Sequence, residues 1–305
     1  MSSTRTANSG SRWLLAGLLA LFGWAYWTTL VDLKHHWDLD PLYSHGYLVP
    51  AFAVVLLWLR RDLIKGRTLT PSAWGLLLLL LGAAMRVGPL VYGFTVTDRY
   101  SILPTLAGLV LAVGGWAALR WAWPAIAFLL FMVHLPAGVD QLLAVPLQRV
   151  ATAASTNALQ TLGFFAVSEG NVILLSDSQL NVAEACSGLN MLMTFCAMTT
   201  AVVLVTRRSL LKEIIIIASS LPLAVVCNVV RITLTGAAQE IAGTGRTSHL
   251  VFHDLAGWLM IILGVALLIL ELKVLDRLFA PVQATHTAAM LSVSKQSGIR
   301  AVARA

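Results

Sequence analysis

A thiol, a guanidinium and an imidazole stand at three boundaries of apolar sequence. Cys186 just precedes the run 188–206, Arg231 lies near the end of the run 212–234, and His253 just precedes the run 255–273. Together they supply the parts of a cysteine acyl-transfer site. The thiolate is the nucleophile, and a helix amino terminus or a nearby cation favours it over the thiol. Arg231 stays charged at any physiological pH, and its planar fork suits a carboxylate or an oxyanion. An imidazole at His253 can take the thiol proton and return it to a departing amine. Asp254 or Glu184 could orient the pair without being catalytic itself.

Each residue also has a plainer reading. A cysteine at a helix start is ordinarily small apolar packing. Arg231 can snorkel to the interface, sparing the roughly 2.5–3.5 kcal/mol that an arginine costs at the centre of a span. His253 can merely anchor a span boundary, and His249 is a rival four residues earlier. The remaining cysteines of the three, Cys196 and Cys227, fall inside apolar runs without metal-ligand spacing, so they read as packing and imply no disulfide framework. His45 and His134 read as buried polar residues rather than catalytic ones. No cofactor or metal is expected.

A membrane must position these groups. Hydrophobic residues make up 58% of the 305-residue chain and charged residues 11%, with a mean hydropathy of +0.81. Soluble domains carry roughly 25% charged residues. Eight apolar segments stand out, at 13–30, 44–59, 73–91, 101–119, 121–135, 188–206, 212–234 and 255–273. With the amino terminus cytoplasmic, 15 of the 21 Lys and Arg residues fall inside; the other six are Lys34, Arg86, Arg99, Arg149, Arg231 and Arg246. This is the positive-inside pattern. The net charge of +7 is therefore topological, and the absence of a clustered basic groove argues against nucleic acid as a partner. The first segment exceeds the 7–15-residue core of a cleaved signal and lacks a small-x-small site, so it reads as a retained anchor. Alternating spans then bring Cys186, Arg231 and His253 to one extracytoplasmic level.

Within the long stretch 136–185, Asp140, Gln141, Gln148, Arg149, Thr152, Ser155 and Asn157 interrupt Leu142, Leu143, Leu147, Val150 and Leu159. That pattern predicts an amphipathic helix lying in the outer interface, kinked or divided at Pro146. Runs 171–175 and 179–184 predict a small β-hairpin leading into the cysteine segment. The expected fold class is an all-α polytopic membrane protein of about eight transmembrane helices, with an extracytoplasmic amphipathic helix and a small β-hairpin before the sixth. Residues 1–12 read as a disordered cytoplasmic tail, 13–275 as the transmembrane domain and 276–305 as a flexible cytoplasmic tail.

The stretch Asn181-Val182-Ala183-Glu184-Ala185-Cys186-Ser187-Gly188-Leu189 resembles the cysteine motif of the exosortase/archaeosortase family. Asn228-Val229-Val230-Arg231-Ile232 is similar to its arginine motif, and Phe252-His253-Asp254-Leu255-Ala256-Gly257-Trp258 to its histidine motif. Tyr43-Ser44-His45-Gly46-Tyr47-Leu48-Val49-Pro50 resembles a further recurrent segment. The resemblance implies a plasma (inner) membrane cysteine transpeptidase with an extracytoplasmic active site: Cys186 as nucleophile, Arg231 as transition-state or substrate stabiliser, His253 as acid/base. Its implied partners are exported proteins bearing a carboxy-terminal sorting signal (a Pro-Glu-Pro type motif, an apolar helix, a basic cluster), and a lipid or glycan acceptor, all amid membrane lipids. The competing classes are a transporter or lipid-glycan carrier, which calls for a midplane cavity, and a glycan polymerase or ligase, which has no need of Cys186.

Overall fold

The computed structural model describes residues 7–39, 41–92, 96–136, 138–176, 178–182, 188–206, 208–242 and 246–279, with the backbone alone at 7–12, 14–15, 41–42, 44, 89–92, 96, 242 and 246–258. The chain forms two compact units, Met1–Val265 and Ala266–Ala305. It is mostly helical, as apolar sequence must be wherever no water is present to satisfy backbone N–H and C=O groups.

Helices α1 (Ala7–Ala25) and α2 (Trp27–Leu39) form a pair bent by 65° at Tyr26. Arg86 fastens the bend: its guanidinium donates to the Ala25 carbonyl at 2.5 Å and to Thr29 Oγ1 at 3.1 Å, and lies 4.4 Å from the Tyr26 ring centroid. The Tyr26 hydroxyl in turn meets Ser101 Oγ and Thr105 Oγ1 at 2.9 and 2.7 Å. A 3-10 turn (Pro41–Tyr47) and α3 (Leu48–Leu59) follow.

Helix α4 (Trp74–Tyr92), the short α5 (Val96–Tyr100) and α6 (Ile102–Phe128) come next. Small residues let α4 and α6 approach closely: a methyl group on Gly75 or Gly82 would run into Ala112 or Thr105. At Gly115 the backbone leaves the helical region, with φ 68° and ψ −166°, and the Thr70 carbonyl closes on the space a side chain would need. Only glycine meets both conditions.

Three helical stretches among the described residues are long and apolar enough to cross a membrane: Thr97–Met132, Gly188–Thr206 and Leu210–Ile241. The bent pair adds a fourth if it counts as one span. Hydropathy alone suggested eight. The difference has visible sources: 101–119 and 121–135 merge into one stretch interrupted at Gly115, and His45–Leu59 and Trp74–Gly88 are shorter apolar helices.

Helix α7 (Val139–Thr161) runs through Pro146 as one element rather than dividing there. A three-stranded antiparallel meander follows, with β1 (Val167–Glu169), β2 (Val172–Leu174) and β3 (Gln179–Asn181) in that order. β2 and β3 are the expected hairpin, with Ile173 opposite Leu180. β1 adds the third strand, and burial supplies the support that an isolated hairpin lacks. Ile173, Leu180 and Val182 join Ala151 and Leu159 of α7 and Ile232 in one apolar cluster. The chain continues through α8 (Gly188–Thr206), α9 (Leu210–Ala218), α10 (Ser220–Ala242) and α11 (Arg246–Leu278).

The placement of α7 differs from the interfacial helix its sequence suggested. Leu159 packs on Gly236 of α10, and Ser155 Oγ donates to the Val229 carbonyl at 3.4 Å. Higher numbers on one helix therefore meet higher numbers on the other, and α7 stands alongside α10. Its buried face carries Gln148, Thr152, Ser155 and Thr156 together with Ala151 and Leu159, whereas Leu142 is 76% and Val150 53% exposed. Of the polar residues expected on one face, Gln148, Thr152 and Ser155 are buried whereas Gln141, Arg149 and Asn157 are exposed.

Replacing Gly115 by alanine should lower stability by about 1–3 kcal/mol, the usual scale of a strained left-handed residue, with the collision at Thr70 added. Thermal unfolding in detergent measures it; a variant melting with the parent would mean that the break does not need glycine.

Candidate functional site

Helix α10 carries Arg231. Residues 228, 231, 232 and 235 share one face at helical spacing, and all four are buried: Asn228 at 1% exposure, Arg231 at 9%, Ile232 at 0% and Thr235 at 5%. The opposite face shows Val226, Leu234 and Ile241 outward. An ionised guanidinium enclosed in a helix this apolar marks function more often than packing. Exposure of 9% also argues against the snorkelling explanation, which needs the head group in water.

Cys186 lies in 183–187, outside the described residues, as does Glu184. His253, His249 and Asp254 fall on the part of α11 described by its backbone alone. Of the three residues picked out by type, Arg231 is the one whose side chain is among the described residues.

The ends of the cysteine segment are nonetheless fixed. On one side, Val182 is fully buried and donates its N–H to the Asn171 carbonyl at 3.0 Å, while Asn171 Nδ2 donates to Gln148 Oε1 of α7 at 3.0 Å. On the other side, α8 begins at Gly188. A Cβ built there would lie 3.3 Å from Asn228 Nδ2 and 3.4 Å from Leu147 Cβ. Both anchors therefore reach the same turn of α7, at Leu147 and Gln148, and one of them rests on the residue a single turn before Arg231. At its far end α10 also ties down the hairpin, through Glu240 Oε1 accepting from the Ser176 N–H at 2.7 Å.

A second polar cluster joins the amino-terminal helices to the entry of α7. Trp37 Nε1 donates to the Met132 carbonyl at 3.0 Å, Tyr100 OH to the His134 carbonyl at 2.8 Å, and the Leu135 N–H to Tyr43 OH at 2.9 Å. His45 Nε2 lies 3.1 Å from the Phe131 carbonyl, and the His134 ring stacks 3.7 Å from that of Tyr43. The segment around Tyr43–Tyr47 thus clamps the chain just ahead of α7. His45 and His134, read from the sequence as buried polar residues, are both part-buried in this clamp.

Beside them, Arg99 Nε donates to Asp32 Oδ2 at 2.7 Å and its Nη2 meets His36 Nε2 at 3.1 Å. Arg86 pairs with Asp98 at 3.4 Å and Lys34 with Asp38 at 2.7 Å. Three of the six cations that departed from the charge bias are accordingly neutralised locally. Lys34 and Asp38 are one helical turn apart, but Asp32 and Arg99 are 67 residues apart and have no local signature. Cys227 is fully buried, and Cys196 Sγ sits 3.3 Å from Ser220 Oγ within the helical packing, in line with roles in packing. No group of ligating side chains suited to a metal occurs among the described residues.

A valine at Gly188 should wedge α8 away from Asn228 and Leu147 and lower the melting temperature in detergent, with an overpacking cost of about 1–3 kcal/mol. Alanine, meeting contacts of 3.3–3.4 Å, should cost less. Equal melting of both variants and the parent would show that α8 does not close on α10 there.

A family model for transmembrane exosortases matches residues 37–270. The match covers most of the chain and takes in the cysteine, arginine and histidine segments together with the Tyr43–Tyr47 clamp, so the chain belongs to the transmembrane exosortase family. No curated protein and no solved structure matches it significantly.

Proposed function

We propose that this exosortase-family protein is a membrane cysteine transpeptidase acting on exported proteins at the extracytoplasmic face of the plasma membrane, with Cys186 as nucleophile, Arg231 as stabilising cation and His253 as acid/base. One observation carries the reading: Gly188, two residues beyond Cys186, closes on Asn228, one turn before the buried Arg231. Two residues of chain span at most about 7 Å, which keeps Cys186 within reach of that turn of α10.

The third residue enters through α11. A Cβ on Gly264 would run into the ring of Phe195 on α8. From that crossing Gly188 lies seven residues back, about 10 Å along its helix, and His253 eleven residues back, about 16 Å along its own. With both helices running in the same direction, as alternating spans require, the two positions fall within about two turns of one level. About eight spans over 13–275, with cytoplasmic tails on either side, complete the topology.

In the reaction, the imidazole of His253 takes the Cys186 proton and the thiolate attacks the carbonyl carbon of a peptide bond near the substrate's carboxy-terminal apolar helix. Negative charge passes to the carbonyl oxygen, where Arg231 and backbone N–H groups at the start of α8 stabilise it. The C–N bond breaks, the imidazolium returns its proton to the departing amine, and a thioester to Cys186 remains. An amine on a lipid or glycan acceptor then attacks the thioester and frees the thiol; attack by water gives hydrolysis instead.

The test is a secreted reporter ending in a Pro-Glu-Pro type motif, an apolar helix and a basic cluster, co-expressed with the protein and followed by the mass of its mature carboxy terminus. Cys186→Ala should leave the tail uncleaved while the protein still inserts; normal processing would remove the nucleophile assignment. Arg231→Lys keeps the charge but loses the fork, and should reduce cleavage about 10²–10³-fold, the scale of a lost oxyanion donor. Cleavage within twofold of the parent would exclude that role.

A further inference from the structure

The polar stripe of α7 contains one hydroxyl that the fold leaves without a use. Thr152 is 2% exposed, and its Oγ1 has no hydrogen-bond partner. Threonines in helices ordinarily satisfy themselves on the carbonyl four residues back. Thr156, Thr161, Thr199 and Thr206 all do so here, at 2.7–2.8 Å. Thr152 does not take the equivalent bond to Gln148, although α7 continues regularly through both residues. Thr233 on α10 is likewise unbonded, but its equivalent acceptor, the Val229 carbonyl, already receives Ser155 Oγ at 3.4 Å. Thr152 has no such competitor among the described contacts.

Its position is defined by neighbours on both sides. Leu147 and Asn228 meet at Gly188, and Ser155 meets Val229. Thr152 lies between Leu147 and Ser155 on α7, so it falls at the level of residues 228–232 on α10. Ala151 and Ile232, the sequence neighbours of Thr152 and Arg231, belong to one apolar cluster. A buried hydroxyl that forgoes its own helix, at the level of a buried guanidinium, keeps its donor and acceptor capacity unspent.

We propose that Thr152 is a substrate-binding residue, whose hydroxyl hydrogen-bonds the backbone of an extended peptide segment drawn into the α7–α10 seam beside Arg231. This inference rests on the transpeptidase reading and names a second wall for its site. A peptide backbone is the matching ligand class because it offers N–H and C=O groups that must be satisfied on leaving water. A hydroxyl serves either group, as donor or acceptor.

The experiment compares Thr152→Val, which keeps the shape and removes the hydroxyl, with Thr152→Ser, which keeps the hydroxyl. Each purified protein is assayed on the sorting-tail reporter in proteoliposomes and melted in detergent, with Cys186→Ala alongside. The expected result is a tenfold or greater fall in kcat/KM for Thr152→Val, with a melting temperature equal to or above that of the parent, because an unsatisfied buried group has been removed. Thr152→Ser should keep kcat/KM within about threefold. A Thr152→Val protein that cleaves normally, or that loses activity and melting temperature together, overturns the proposal and makes the hydroxyl spare or structural. If Cys186→Ala still cleaves, or the parent does not cleave at all, the transpeptidase reading fails first and this assignment falls with it.

Discussion

Burial of the Arg231 face of α10 against the polar stripe of α7 is the constraint on which the other arrangements depend. Both helices turn apolar residues outward, so neither could hold its polar residues alone in an apolar medium. Set side by side, each supplies what the other lacks: Gln148 and Ser155 from one side, the Val229 carbonyl and the Asn228 and Arg231 groups from the other. The seam also organises its surroundings. Asn171 bonds Gln148, the sheet packs its Ile173 and Leu180 against Ala151, Leu159 and Ile232, and α8 begins at Gly188 in close approach to Leu147 and Asn228. The short stretch bearing Cys186 is thus held from both ends by one turn of α7.

The amino-terminal half serves this seam from a distance. Arg86 stabilises the α1–α2 bend, and Arg99 and Asp32 tie α2 to the end of α5. The aromatic and histidine side chains of 37–47 then grip the backbone of 131–135, through which the chain enters α7. A motif with no obvious catalytic group is explained by that grip. Gly46 belongs to it as well, since any side chain there would collide with the Trp37 indole.

Much of this was legible in the sequence, and the failures are instructive. The apolar runs were found because burial in lipid demands a composition that nothing else explains, and β2 and β3 because strand-like residues flank a turn. Arg231 stood out because a cation in an apolar run is costly wherever it sits. That the polar residues Gln148, Thr152 and Ser155 of α7 pack against a neighbouring helix could not be read from periodicity, which reports faces and not their partners. Of the eight apolar runs, 101–119 and 121–135 form one long helical stretch and 44–59 and 73–91 form shorter helices, differences of helix length and continuity that hydropathy does not report. Pairings such as Arg99 with Asp32, or Tyr43 with the Leu135 amide, depend on tertiary approach and have no local signature.

The most direct measurement is disulfide trapping between Cys186 and a cysteine introduced at Asn228, with Cys196 and Cys227 replaced by alanine. Mild oxidation in membranes followed by peptide mass mapping would reveal the link. If Cys186 lies beside the Arg231 turn of α10, a disulfide between 186 and 228 should form readily, while a control cysteine at the outward-facing Val226 should give none. Failure of the 228 pair to link, or equal linking at 226, would contradict the placement of the thiol on the polar seam.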